Sequence, residues 1–281
     1  MGERYTQFNL RLPNGYEACL NDVARDERVL LCWWDRAVFS VLLSGVIRAE
    51  ERRRFEPVLE SLVAEAGIGQ LSFERVEDYS WREMRQARME PLQVGRFWIY
   101  FDANVSAPEG SVPLYLTEVG AFGTGHHVTT GHCLQALERL TQPPRRVADV
   151  GCGSGVLSLA IAALWDTELV ACDIDPKSVL VTRDNFAANG VNAQAVRSDG
   201  MAHPSMQGPY DLIVANVLND VLQELAPDIT ARLSPQGKAI LSGISISGCD
   251  RIIDLYTAHG LTLEHRQEER GWATLVLTRP L

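Results

Sequence analysis

The sequence predicts an α/β fold: a mostly parallel, doubly wound sheet that ends in an antiparallel hairpin, with a smaller α+β block ahead of it. Three observations predict it. From Thr129 onward helical and strand patterns alternate, as the crossover connections of a parallel sheet require. Near the start of that stretch, Asp149-Val-Gly-Cys-Gly-Ser-Gly155 separates a short apolar run, residues 146–150, from an apolar helix-like run, residues 156–164. Such a strand–loop–helix turn, free of side chains at alternate positions, lets a ligand approach the backbone closely. At the far end, strand-like residues 261–267 and 272–279 flank the turn-like Glu268-Glu-Arg-Gly271, and a tight turn of this kind joins antiparallel neighbours.

The elements of the first block, residues 1–78, run strand (5–12), helix (16–25), strand (29–34), strand (37–46), amphipathic helix (50–66) and strand (71–77). That order is the split βαβ arrangement of a ferredoxin-like domain. It carries no glycine-rich loop and no histidine cluster, so recognition is its expected role, ahead of a purely structural one. Residues 79–128, with Trp81, Met84, Pro91, Pro108 and Pro113 and short strand-like runs such as 97–101, read as a linker and lead-in. Residues 129–281 form the third block. There Pro176 suits the first turn of a helix over 177–189, and Asn189-Gly190 ends it. Strands follow at 193–197, 210–216 and 238–242 before the hairpin.

Composition sets further bounds. A chain of 281 residues holds about two domains. A net charge of −10 disfavours indiscriminate nucleic-acid binding, which needs Lys and Arg to neutralise phosphates, and favours a basic protein partner. The six cysteines show no Cys-x-x-Cys pair or metal spacing, as expected of reduced thiols. No segment is long and apolar enough to span a bilayer, and the first thirty residues are too acidic for a signal peptide, so the expected location is cytoplasmic. Met1-Gly-Glu-Arg-Tyr-Thr6 matches the myristoylation template, but residues 5–12 read better as the opening strand.

The glycine spacing carries the chemistry. A dinucleotide fingerprint needs a sixth-place glycine, and that place holds Val156. The spacing instead resembles the nucleotide-binding turn of class I S-adenosylmethionine-dependent methyltransferases, whose sheet is Rossmann-like. Asp173, 22 residues after Gly151 at the end of the strand-like 168–173, is placed by a βαβ unit beside the first loop, where it can accept from both ribose hydroxyls. Asp149, Gly151, Gly153 and Gly155 complete the candidate turn. Asp199, after strand 193–197, is set either to reach the adenine amino group or to serve as a solvated turn residue. Asn216 ends an apolar strand at the carboxyl edge, where ligands of such sheets bind. It is the candidate for contact with the reacting end of the cofactor or with a substrate amine, helix capping being the alternative, and Asn219 or Asp220 is the expected cap. The polar segment Ala121-Phe-Gly-Thr-Gly-His-His-Val-Thr-Thr130 suits a loop over a bound nucleotide, with Thr129 or Thr130 at a helix N-cap. His126 and His127 are adjacent and point apart, so no metal is expected there.

Phe122-Gly-Thr-Gly-His-His-Val-Thr-Thr130, Asp149-Val-Gly-Cys-Gly-Ser-Gly155, Asp173-Ile-Asp-Pro176, Asp184-Asn-Phe-Ala-Ala-Asn-Gly190 and Tyr210-Asp-Leu-Ile-Val-Ala-Asn-Val-Leu218 together resemble the PrmA family, bacterial methyltransferases of ribosomal large-subunit protein eleven. The resemblance implies methylation of lysine side chains and an N-terminal amine of that protein. It also implies an N-terminal domain that docks the substrate, with no direct role for nucleic acid or membrane. Family cofactor positions fall on Thr130, Gly151, Asp173 and Asn216. Val128 stands where the family often has proline, and Thr117-Glu-Val-Gly120 replaces an Asp-Pro-Gly turn. The expected chemistry is alignment of the amine by Asn216 and by the loop bearing Thr124 and His127, with water taking the proton, or a base at His127. A methyltransferase of another protein or a small molecule would share this core. A nucleotide-binding oxidoreductase or a silent binding module is disfavoured by Val156 and by the hairpin.

Overall fold

The computed structural model describes residues 5–13, 15, 16, 19, 20, 22, 23, 26, 29–36, 40–76, 90–117 and 123–281. Residues 1–4 of the myristoylation template, Trp81, Met84, residues 118–122 and much of the first expected helix lie outside them. The chain divides into two compact units, Met1–Arg85 and Gln86–Leu281.

In the first unit β1 (Tyr5–Pro13), β2 (Val29–Arg36), β3 (Ser40–Arg48), α1 (Arg52–Ala66) and β4 (Gln70–Val76) build a four-stranded sheet of order β2-β3-β1-β4. All of its pairings are antiparallel, which is the split βαβ arrangement expected. Strand alternation puts Phe8, Leu10 and Leu12 of β1 on one face, where they share a core with Phe55 and Leu59 of α1. The rings of Phe8 and Phe55 meet edge to face at 5.4 Å. Gly67, left-handed at φ 67°, ends the helix.

The second unit begins earlier than the linker reading allowed. β5 (Leu92–Val94), β6 (Phe97–Tyr100) and β7 (Val112–Tyr115) form a three-stranded sheet. Phe97, Ile99, Phe101 and Leu114 are buried in the same core as Leu134 and Leu137 of α2 (Val128–Glu138). Of the prolines that suggested a linker, Pro91 and Pro108 lie outside the strands, and Pro113 fits one because β7 is an edge, where it leaves no central ladder bond unmade.

The large sheet has the order β10-β9-β8-β11-β12-β14-β13. Its strands are β8 (Arg146–Val150), β9 (Glu168–Asp173), β10 (Gln194–Arg197), β11 (Tyr210–Asn216), β12 (Leu233–Ser245), β13 (Thr262–Glu269) and β14 (Trp272–Thr278). The first five are parallel, and β14 is antiparallel to both β12 and β13. α3 (Val156–Leu164), α4 (Pro176–Ala188), α5 (Asn219–Arg232) and α6 (Ile246–Ala258) supply the crossovers. Residues of alternating parity enter two cores: Val147, Leu212 and Val214 join α2 and α3, whereas Ala148, Val150, Ile213 and Ala215 join α5 and α6. β12 starts five residues before the expected strand, because Gln236 at φ 63° lets Ser-Pro-Gln-Gly continue as ladder, Gln236 N–H donating to Arg279 O at 2.8 Å. The crossovers diverge on either side of β8 and β11, leaving a crevice at their carboxyl ends.

Phe97→Ala tests the membership of β6 in this core. Truncating a fully buried Phe costs about 3–5 kcal/mol, so the urea transition of the second unit should fall by that amount; a loss below about 1 kcal/mol would detach the strand from the core.

Candidate active site

The chain leaves β8 through three left-handed glycines, Gly151 (φ 75°), Gly153 (φ 54°) and Gly155 (φ 78°). A Cβ on Gly151 would sit 2.3 Å from Cγ1 of Val217, and one on Gly155 would sit 2.9 Å from Cγ2 of Thr182. Gly155 therefore serves the packing of α3 on α4 as well as the turn. The N–H groups of Gly151 and Cys152 both donate to the Cys172 carbonyl, at 2.8 and 2.9 Å. These bonds bring the end of β9 beside the loop, where Gly153 N–H donates to Oδ2 of Asp173 at 2.9 Å. The other Asp173 oxygen accepts from Asp175 N–H at 2.9 Å. Two backbone donors thus fix the carboxylate, and each oxygen keeps a further lone pair for a vicinal diol.

Gly151, Gly153, Asp173, Asp199 and Asn216 line one cavity of about 440 Å³. Asp199 is exposed at its rim. Asp149, Gly155 and Thr130 stand behind this lining. Register pairs Asp149 with Val214 and Val150 with Ala215, so two-residue alternation places Asp149 and Asn216 on the same sheet face, the one covered by α2 and α3.

Asp149, only 1% exposed, accepts from Ser158 Oγ through Oδ2 at 2.6 Å. Asn216 donates through Nδ2 to Thr130 Oγ1 at 3.4 Å. Oδ1 of each is buried without a hydrogen-bond partner among the described residues. Burial pushes the Asp149 carboxyl up to about 6, opposed by the Ser158 bond and reinforced by the charge of Asp173. Buried acceptors without donors are costly and are kept where a ligand supplies the donor. Two of them beside a carboxylate with free lone pairs could take the donors of a ligand that carries a ribose and an ammonium group.

The loop ahead of α2 is fastened to the glycine turn by Ser154 Oγ, which donates to Gly123 O at 2.7 Å. The N-cap of α2 is His127, not Thr129 or Thr130: its Nδ1 accepts from Thr129 N–H at 3.4 Å and lies 2.8 Å from Thr129 Oγ1. Partial burial lowers the His127 pKa, which favours the neutral ring that capping needs. The ring also stands edge-on to Trp272 at 5.2 Å. With the cap so filled, Thr130 turns fully inward. His126 stacks on Phe101, and its Nδ1 lies 3.5 Å from Thr124 Oγ1. Thr124 and His127 lie on this loop, outside the cavity lining. Among the described residues there is no cluster of metal-ligating side chains. Asn219 does not cap α5; its Oδ1 accepts from Ser245 N–H at 2.8 Å and ties α5 to the end of β12.

Two supporting residues carried no sequence signal of their own. Asn185, fully buried, accepts from Thr117 N–H at 2.8 Å and donates to Ser154 O at 2.8 Å. Thr182 donates to Gly153 O at 3.0 Å. Both face the loop from α4 at helical spacing, i and i+3, in a stretch whose motif Asp184-Asn-Phe-Ala-Ala-Asn-Gly190 was the available hint.

Residues 35–280 match the model of the family described as Ribosomal protein L11 methyltransferase (PrmA). The chain is 36% identical over 252 residues to the ribosomal protein L11 methyltransferase of Brucella abortus, covering 87% of this chain and 86% of that one. It is 38% identical over 230 residues to that of Dechloromonas aromatica, covering 79% and 76%. The crystal structure of the ribosomal protein L11 methylase from Lactobacillus delbrueckii subsp. bulgaricus superposes with a TM-score of 0.63 at 27% identity, over 69% of this chain and 99% of that one. The chain belongs to the PrmA family.

Asp149 yields a pH-dependent stability. Its carboxyl ionises at the ordinary 3.8 when unfolded and at about 6 when folded, so the folded state retains a proton that the unfolded chain has released. Its contribution is most favourable below the lower value and is lost as pH rises through the higher one, a change of about 2–3 kcal/mol. Asp149→Asn keeps an acceptor for Ser158 and removes the ionisation. The urea midpoint of the cofactor-free variant should gain on the parent from about pH 4 to about pH 8; a constant difference would mean an unperturbed carboxyl.

Proposed function

We propose that this chain transfers methyl groups from S-adenosylmethionine to lysine side-chain and N-terminal amines of ribosomal large-subunit protein eleven. The observation that carries the reading is the pair of donor-less buried acceptors, Asp149 Oδ1 and Asn216 Oδ1, on one sheet face beside the glycine turn. Family membership and the names of the relatives support the substrate.

When bound, S-adenosylmethionine supplies an electrophilic sulfonium methyl. Asp173, fixed by two backbone N–H groups, would accept from its ribose hydroxyls, and Asp149, through the oxygen that has no partner, would accept from its ammonium. Asn216 accepts an N–H of the substrate amine through Oδ1, while its Nδ2 bond to Thr130 keeps the carboxamide from rotating. A lysine ammonium, with a solution pKa of about 10.4, must lose a proton before it can attack. Water takes that proton; His127 is committed to its cap. Alignment supplies most of the acceleration, up to about 7–11 kcal/mol for well-oriented reactants.

Substrate recognition falls to the first block, residues 1–78, within the unit Met1–Arg85, and catalysis to residues 129–281, with 79–128 the lead-in whose strands pack into the catalytic body. The chain's net charge of −10 suits a basic ribosomal protein better than RNA. No helix among the described residues is long and apolar enough to cross a membrane, and the cytoplasm, where ribosomes assemble, is the proposed place of work.

Incubation with labelled S-adenosylmethionine and purified protein eleven, followed by mass spectrometry, tests the reaction. Label should appear on lysine or the N-terminal amine, and Asp173→Ala should weaken cofactor binding about ten- to a hundredfold. Cofactor binding without label would redirect the substrate to another protein or a small molecule, and failure to bind would remove the cofactor. For His127→Ala the expected result is loss of the cap, about 1 kcal/mol, with transfer retained; loss of transfer with binding intact would make His127 the base.

A further inference from the structure

The carboxyl edge of the large sheet exposes more apolar surface than the cavity itself uses. Eight large apolar side chains are exposed among the described residues. Five of them, Ile174, Leu180, Leu218, Val221 and Ile246, lie just after a parallel strand or in the first two turns of the helix that follows one. Scattered singly, exposed apolar residues need no explanation; gathered at one edge they mark a surface that meets a partner. Ile174 and Val221 line the cavity. Leu218, 65% exposed, and Ile246, 38% exposed, stand outside its lining.

Their exposure is built into the backbone. Val217 N–H donates to Ser242 O at 3.1 Å, and Gly243, at φ 78°, passes so close that a Cβ on it would lie 2.3 Å from the Val217 carbonyl oxygen. The chain leaving β11 is thereby held against the end of β12, and Leu218 is left on the surface. Asn219 Oδ1 then accepts from Ser245 N–H at 2.8 Å, which sets residue 218 at the start of α5 beside residue 246 at the start of α6. Leu222 N–H donates to Leu218 O at 3.0 Å, so the helix is already formed here and Leu218 and Val221 are i, i+3 neighbours. The three side chains make one shelf, which begins two residues after Asn216 and runs into the cavity wall at Val221.

Charge selects the occupant. Residues 198–231 contain five acids and no Lys or Arg. Two of those acids, Asp220 and Glu224, are exposed on the first two turns of α5, and Glu224 lines the cavity. An apolar strip edged by carboxylates fits an amine on a methylene stem, which is apolar along its length and cationic at its tip. A second copy of this chain, at net charge −10, brings the wrong sign.

We propose that Leu218, Val221 and Ile246 are the shelf on which the segment of the protein substrate carrying the target amine lies during methyl transfer. The lysine stem and its apolar neighbours cover the three side chains, and Asp220 and Glu224 attract the segment's positive charge. This role rests on the reading of Asn216 as the residue that meets the substrate amine, and it gives the catalytic domain a substrate surface of its own, beyond the docking assigned to the N-terminal block.

Leu218→Ser and Ile246→Ser, singly and together, provide the test. Leu218 occupies the N-cap of α5 without a side-chain cap bond, and Ser is a preferred residue there, so that substitution should keep or raise stability while it removes the contact. The double variant should lose on the order of tenfold in kcat/KM for protein eleven, with S-adenosylmethionine affinity within about twofold of the parent. Methyl spectra of the full chain saturated with S-adenosylhomocysteine and titrated with purified protein eleven give a readout free of turnover, in which the Leu218, Val221 and Ile246 signals should shift or broaden. Parent-like kcat/KM in the double variant, a loss confined to cofactor affinity, or shelf signals that stay still while others move would each overturn the proposal. A parent that dimerises in sedimentation, with the dimer lost in the double variant and the shelf signals indifferent to protein eleven, would give the shelf to a second copy instead. If no signal moves and no methyl is transferred, the functional reading itself fails, and this role falls with it.

Discussion

The site depends on the path by which the chain leaves β8. At Gly151 the backbone turns left-handed and passes so close to Val217 that a Cβ would lie 2.3 Å from its methyl group. Only that turn lets the Gly151 and Cys152 N–H groups share the Cys172 carbonyl. The shared acceptor fixes β9 against the loop and aims the Asp173 carboxylate at Gly153 N–H. Crevice, carboxylate and helix entry therefore follow from one steric requirement, which no residue with a side chain meets without strain.

Around that turn the protein keeps polar atoms in places where a fold optimised for stability alone would not. Asp149 is a carboxylate in an apolar layer with one oxygen satisfied and one not, and Asn216 repeats the pattern on the adjacent strand. Each costs free energy in the isolated chain and recovers it only when a donor arrives. The flanking layers absorb that cost: the sheet has an apolar core on both faces, with Leu134, Leu137 and Phe97 on one side and Leu222, Ile229 and Tyr256 on the other. The candidate site is thus strained electrostatically and supported by packing, which is the division of labour expected of a site where function overrides stability.

α2 joins the two. Its cap is an imidazole rather than a hydroxyl, and this frees both threonines of its first turn for inward contacts: Thr130 to Asn216, and Thr129, through its carbonyl, to Ser242 and the terminal hairpin. The hairpin therefore does more than close the sheet edge, because Thr274 and Glu269 on it reach the same helix through His132.

What the sequence determined by itself was whatever rests on local spacing. Alternating apolar patterns located the strands, the three glycines marked the turn, the interval to Asp173 measured one βαβ unit, and the polar end of an apolar strand singled out Asn216. Each signal lies within about thirty residues, the length of one such unit. Only the tertiary structure decided the rest. Residues 92–115 entered the core despite their prolines, because an edge strand and a neighbouring helix were there to receive them. His127 took the cap from the threonines because Trp272 supports its ring from a distant strand. The partners of Asn185 lie 31 and 68 positions away, and those of His132 lie 137 and 142 positions away. Their roles arise from pairings between distant segments, and no local periodicity records which distant side chains a fold will bring together.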